Sequence, residues 1–256
     1  MSSASQRIHL QPAYVLHHRP YRDTSRIVEL FTRDYGRLTV FARGARSVKR
    51  GVALTSLLQP FHRVLVSYAG RGEAGHLSGA EFDGGYLAMP SARALSGFYL
   101  NELLLRLFER HDAHADVFHL YDATIAGLKA PDQNEHRLLR LFEKRLLEML
   151  GYGLSLDSEA SIGAPVEQDA VYRYLPERGV TRIAGVDEGE LIFSGAALLS
   201  LSREALDDPS HRVDARRLLR AALDRCLAGR ELNSRLVLRE IRAGTTVTRK
   251  RIADSG

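Results

Sequence analysis

The sequence predicts an α+β protein: an N-terminal OB-fold β-barrel, then a mainly α-helical domain interrupted by a small β subdomain. Three observations carry this expectation. Two-residue alternation of apolar and polar side chains fills short stretches of residues 1–83. After Pro90 the apolar spacing becomes helical. Between Gly153 and Gly195 the helical spacing breaks and strand-like pieces return. The expected boundaries are 1–83 for the barrel, 84–153 for the first helical part, 154–194 for the β subdomain and 195–256 for the second helical part.

In chain order, the expected strands are Ala13–Arg19, Ser25–Thr32, Gly36–Gly44, Phe61–Tyr68 and Gly75–Glu81. In the third, Leu38 and Val40 alternate with Arg37, Thr39 and Phe41; in the fourth, Val64 and Val66 alternate with Arg63, Leu65 and Ser67. Turn signals stand between them at Pro20, Asp34-Tyr35-Gly36 and Gly70-Arg71-Gly72. Five short strands in so short a stretch suit a Greek-key barrel of the OB type; an SH3-like barrel would give the same pattern.

Leu95, Tyr99, Leu103, Leu107 and Phe108 then mark one helical face, with Ser91 as its N-cap. Val117–Leu128 is a second helix, and Leu138, Leu139, Phe142, Leu146, Met149 and Leu150 stripe a third that stops at Gly151. Further helices are expected at Leu198–Leu206, Ala215–Leu227 and Ser234–Ile241. Val171–Tyr174 followed by Glu177-Arg178-Gly179 suggests a hairpin, and Leu191-Ile192-Phe193 a small strand. The first dozen residues and the last six are expected to fray.

Charge is nearly balanced overall, with 36 Lys and Arg against 31 Asp and Glu, a net +5. Its distribution is uneven. From Tyr35 to Gly72 there is no acid, while Arg37, Arg43, Arg46, Lys49, Arg50, Arg63 and Arg71 fall in that stretch. Cations on a glycine-bounded loop can follow a phosphate backbone, releasing counterions without reading sequence. Tyr35, Phe41 and Tyr68 are candidate rings for base stacking. An acidic protein partner or RNA could use the same patch, so a non-enzymatic adapter and an RNA-binding protein stand as alternatives.

Other chemistries find less support. The single cysteine, Cys226, forbids an internal disulfide and reads as a core filler. His111-Asp112-Ala113-His114 reads as a polar loop rather than a metal site, and Gly70–Gly75 lacks the Gly-Lys-Ser/Thr of a P-loop. With no metal cluster, a hydrolase or nuclease is disfavoured, and the expectation is a protein that is not an enzyme and needs no cofactor. No signal peptide or bilayer-length apolar run is seen, so the expected location is cytoplasmic and nucleoid-associated, with no membrane partner.

Several spaced motifs together resemble the RecO family of DNA repair and recombination mediators. They are Tyr14-Val15-Leu16-His17-His18-Arg19-Pro20-Tyr21, Asp23-Thr24-Ser25, Phe31-Thr32, Gly36-Arg37, Ala42-Arg43-Gly44-Ala45-Arg46 and Leu58-Gln59-Pro60-Phe61. Tyr99-Leu100-Asn101-Glu102-Leu103 and Leu150-Gly151-Tyr152-Gly153 extend the match. The resemblance implies binding of single- and double-stranded DNA, strand annealing, contact with the acidic C-terminal tail of the single-stranded-DNA-binding protein SSB, and work with RecR to load recombinase on coated DNA. On that basis Arg37, Arg43, Arg46, Lys49, Arg50 and Arg63 are the expected DNA-binding residues, and Arg140 and Phe142 the expected SSB-tail contacts. Many family members hold zinc through four cysteines after the Gly-Tyr-Gly motif. Here Asp157–Gly163 has none, so no zinc is expected.

Overall fold

The computed structural model describes residues 6–22, 24–43, 48–49, 52–71, 74–85, 87–176, 178–183 and 191–240. It is α+β, and its residues group into two compact units, Met1–Lys129 with Leu232–Gly256, and Ala130–Glu231.

The first unit is built on a closed five-stranded barrel. Its strands are β1 (Gln6–Tyr21), β2 (Ser25–Thr32), β3 (Gly36–Ala42), β6 (Arg63–Arg71) and β7 (Ala74–Phe82), arranged β1-β2-β3-β7-β6 and back to β1. The two short strands β4 (Val48–Lys49) and β5 (Val52–Ala53) and the single turn α1 (Leu54–Leu57) fall in the connection from β3 to β6. All neighbours in the barrel are antiparallel except β3 and β7, which run parallel with Phe41 beside His76. This is the OB order.

β1 begins earlier than the alternation suggests. Gln6–Tyr14 pair with β6, Ala13–Tyr21 pair with β2, and Ala13 and Tyr14 serve both. Bulges between Ile8 and Gln11 and between Val15 and His17 bend the strand enough to reach both neighbours. Residues 6–12 are therefore paired strand rather than a frayed end. The barrel interior is filled from alternate positions: Ala13, Val15, Val28, Leu30, Leu38, Val40, Ala42, Val64, Val66 and Tyr68.

Two helices, α2 (Ser91–Leu107) and α3 (Ala115–Lys129), pack on one part of the barrel's outer face. Pro90 takes the cap position of α2 with no side-chain cap, and Ser91 is the first helical residue. Proline before the first turn suits a position whose N–H would have no helical partner. Tyr14 and Phe31, outward residues of β1 and β2, meet Phe108, Phe118 and Tyr121 at ring-centroid distances of 4.9–6.4 Å. The Asn101 side chain donates to Leu16 O at 2.9 Å and accepts from Tyr121 Oη. Gly97 is required where α2 crosses Phe61: a Cβ there would lie 2.6 Å from the Phe61 ring.

In the second unit, α4 (Glu135–Met149), α5 (Gly195–Ser202) and α6 (Pro209–Cys226) accompany a three-stranded sheet, β10 (Ile192–Ser194), β8 (Val171–Leu175) and β9 (Gly179–Arg182), in the order β10-β8-β9. Asn134 caps α4 by accepting from Arg137 N at 3.0 Å, and Asp208 caps α6 through Ser210 N. Glu204 ties this unit together: its carboxylate receives Arg145 and Lys144, and its carbonyl receives Arg137. The Arg145 hydrogen bond, opposed by burial, holds the Glu204 carboxyl below its ordinary range.

Candidate nucleic-acid interface

The cations of the acid-free stretch divide according to what packs against them. Arg37 points outward from β3 into the helices. Its Nη1 donates to Leu105 O at 2.7 Å and Phe108 O at 2.6 Å, and its Nη2 stands 3.6 Å from Glu29. The side chain is 12% exposed. Arg63 donates to Asp83 at 2.6 Å and Asp122 at 3.3 Å, and Asp122 also accepts from Tyr14 Oη. The acid-free stretch suggests an open basic surface for both. They instead brace the barrel against α2, α3 and the segment after β7, with carbonyls and carboxylates from distant parts of the chain as their partners.

Arg43 differs. It is exposed at the end of β3 and has no ion pair with any described residue. Arg46 and Arg50 lie outside the described residues, and Lys49 is described only as part of β4.

Beside Arg43 the outer face of the barrel stays open. The strand register sets Arg19, Ile27, Phe41 and His76 in one row across β1, β2, β3 and β7. Tyr21 adjoins that row, 5.3 Å from Phe41 between ring centroids, and Phe41 stands 5.8 Å from His76. The Arg22 guanidinium lies over the Tyr21 ring at 5.3 Å, a cation–π arrangement. Arg19, Tyr21, Arg22, Arg43 and His76 are all exposed. Glu29, two positions along β2 from Ile27, is already engaged by Arg110 at 3.1 Å, Thr39 at 2.8 Å and Arg37. The row of Arg19, Ile27, Phe41 and His76 is thus bordered by cations and rings, and the Glu29 carboxylate beside it is internally compensated.

Of the three rings expected to stack bases, Phe41 is on this face. Tyr35 and Tyr68 turn toward the barrel core and pack edge-to-face at 6.4 Å. Sequence reasoning misses Tyr21 and His76. Strand alternation held a usable signal for the rest: Phe41 shares parity with Arg37 and Thr39, while Tyr68 shares it with the inward Val64 and Val66.

This barrel and its accompanying helices match known proteins along nearly the whole chain. The family model described as Recombination protein O N terminal matches residues 7–85, and Recombination protein O C terminal matches residues 92–236. The DNA repair protein RecO of Alkalilimnicola ehrlichii is 48% identical over 241 residues, 93% of this chain and 94% of that protein. Those of Nitrosococcus oceani and Dechloromonas aromatica are 42% and 41% identical, over 95% and 90% of this chain and 98% and 95% of theirs. The chain belongs to the RecO family. RecO proteins serve DNA repair and recombination.

In the second unit lie Arg140 and Phe142, which the resemblance implies as SSB-tail contacts. Phe142 is fully buried, and the Arg140 side chain, 9% exposed, is paired with Glu143 at 2.8 Å along the same helix. The helical stripe that contains Phe142 faces inward, so neither side chain opens onto solvent as a groove. Where the resemblance would place a zinc site, this chain forms a hydrogen-bonded turn. Glu159 N donates to Ala164 O, Val166 N to Asp157 O and Ala160 N to Val180 O, each at 2.8–2.9 Å. Leu156, Val166 and Val180 are buried beside it. Serine, alanine and isoleucine in this segment are not zinc donors, and the Glu159 carboxylate accepts from Arg182 N, so these residues do not fit a thiolate-held ion. No helix among the described residues is long and apolar enough to cross a membrane.

Proposed function

We propose that this protein acts in recombinational repair as a non-enzymatic DNA-binding mediator: it binds single- and double-stranded DNA on the open face of its barrel and anneals complementary strands. Three arginines carry this reading. Arg19, Arg22 and Arg43 are exposed on one barrel face with no carboxylate partner among the described residues. Annealing needs no covalent step. It needs two polyanions held close, and a cationic face offsets their repulsion. Arg46, Lys49 and Arg50, which follow Arg43 in sequence, extend the same charge in this proposal.

Family membership supports the rest. SSB and RecR are the proposed protein partners, recombinase loading on SSB-coated strands is the proposed outcome, and the cytoplasmic nucleoid is the proposed site of action. With Arg140 and Phe142 inside the second unit, their part in SSB-tail binding would be to shape the surface above them.

The test is a titration of labelled oligonucleotide at several salt concentrations. The R19E/R22E/R43E variant should bind more weakly, and its slope of log K against log salt should flatten by about 0.7–0.9 for each phosphate that is no longer neutralised. Unchanged affinity and slope would count against the open face. Cleavage of the probe with magnesium or manganese present would overturn the non-enzymatic reading.

A further inference from the structure

We propose that unpaired bases of single-stranded DNA stack on the Tyr21–Phe41–His76 row, and that this row makes the open face prefer single strands to duplex. The proposal rests on the DNA-binding reading above and adds strand preference to it.

The barrel does not need these rings for its own core. Val40 and Ala42 fill the interior on either side of Phe41, while Phe41 itself points outward. On the helix-covered part of the same outer face, the rings of Tyr14 and Phe31 are buried under α2, α3 and the turn between them. No described element covers Tyr21, Phe41 and His76 in this way, and Tyr21 is 37% exposed.

The three rings touch in sequence across three strands and are tilted to one another by 53° and 40°, so no ring is sandwiched flat by its neighbour. Ile27 sits beside Phe41 in the register and extends the apolar floor. Cations border this floor: Arg19 closes the row on the β1 side, Arg43 follows β3, and Arg22 covers one side of Tyr21 while its charge stays exposed.

A ligand that satisfies both parts must offer flat apolar rings and regularly spaced negative charge. Single-stranded DNA does so, with bases free to splay onto aromatic faces. Duplex DNA offers the phosphates but keeps its bases stacked inside, so it can use the cations alone. Stacking tolerates any base, so the row adds strand preference without sequence preference.

Three probes of equal length separate these contributions in anisotropy titrations on the full chain: a labelled thymidine oligonucleotide, the same strand with abasic sites, and a duplex. Wild type should bind the thymidine strand about tenfold more tightly than the abasic strand. The Y21A/F41A variant should lose about tenfold on the thymidine strand and less than about twofold on the abasic strand and the duplex. The chain contains no tryptophan. F41W therefore adds a single fluorophore that the thymidine strand should quench and the duplex should not, which keeps the test available if the double variant unfolds. Equal losses on all three probes, equal wild-type affinity for abasic and thymidine strands, or an unquenched F41W would each overturn the proposal while leaving DNA binding standing. Wild type that binds none of the probes would overturn the DNA-binding reading and this proposal with it. A uridine RNA strand bound more tightly than DNA, with the same dependence on Tyr21 and Phe41, would overturn the assignment to DNA.

Discussion

Two parts of the barrel's outer face use the same residue types for opposite ends. Where α2 and α3 lie, Tyr14 and Phe31 are buried and Arg37 nearly so, and Arg37 and the partly exposed Arg63 both meet carbonyls or carboxylates. Beyond Glu29, Arg19, Arg22, Arg43, Tyr21 and Phe41 stand clear of the helices. An arginine in a β-strand becomes a structural brace or a ligand site according to what is packed over it. The Glu29 carboxylate, held by Arg37, Arg110 and Thr39, marks the border between the two regions.

Covered residues should therefore report in stability and open ones in affinity. The largest effect should come from Arg37→Ala. It leaves Leu105 O and Phe108 O without their donor and should cost about 3 kcal/mol in denaturant unfolding, with an unchanged salt slope for DNA. A stable Arg37→Ala protein with weakened DNA binding would reverse the assignment. Gly97→Ala should follow, at about 2 kcal/mol, because the new methyl group meets the Phe61 ring. On the open side, Arg43→Ala should change stability by less than about 0.5 kcal/mol while reducing oligonucleotide affinity at low salt.

The smallest effect is a pH dependence at the open end. Burial, then the charge of Arg26, pushes His18 below its ordinary value. Between its folded and unfolded values the unfolded chain binds the proton and the folded chain does not. Stability should therefore fall as pH drops from neutral through about 6.5 toward the depressed value. His18→Gln should flatten that slope in thermal melts between about pH 7 and 5, leaving a remainder from His62, which burial also lowers. An identical slope in the variant would show that His18 carries none of it.

Much of this fold was legible in the sequence, because alternation and helical spacing are local patterns. The five barrel strands and the helical stripes fall close to where those patterns put them. Availability of charge was not legible. Arg63 finds Asp122 across 59 positions and Arg37 finds Phe108 O across 71, so an acid-free window in the sequence says nothing about which acids arrive by folding. The row of Tyr21, Phe41 and His76 was hidden for the same reason: it exists only through the register of β1, β2, β3 and the parallel β7. The short strands β4 and β5, two residues each, are too brief to show a period at all.

β1 closes the ring by pairing with β6 along its first half and β2 along its second. Cutting away residues 6–12 would unlatch the barrel and leave the hydrogen-bonding edge of β6 bare. A bare edge invites a strand from another molecule. Shortened forms of this chain should accordingly associate edge to edge through β6 and form dimers or larger aggregates, a hazard to weigh when placing an affinity tag or trimming the chain for crystallisation.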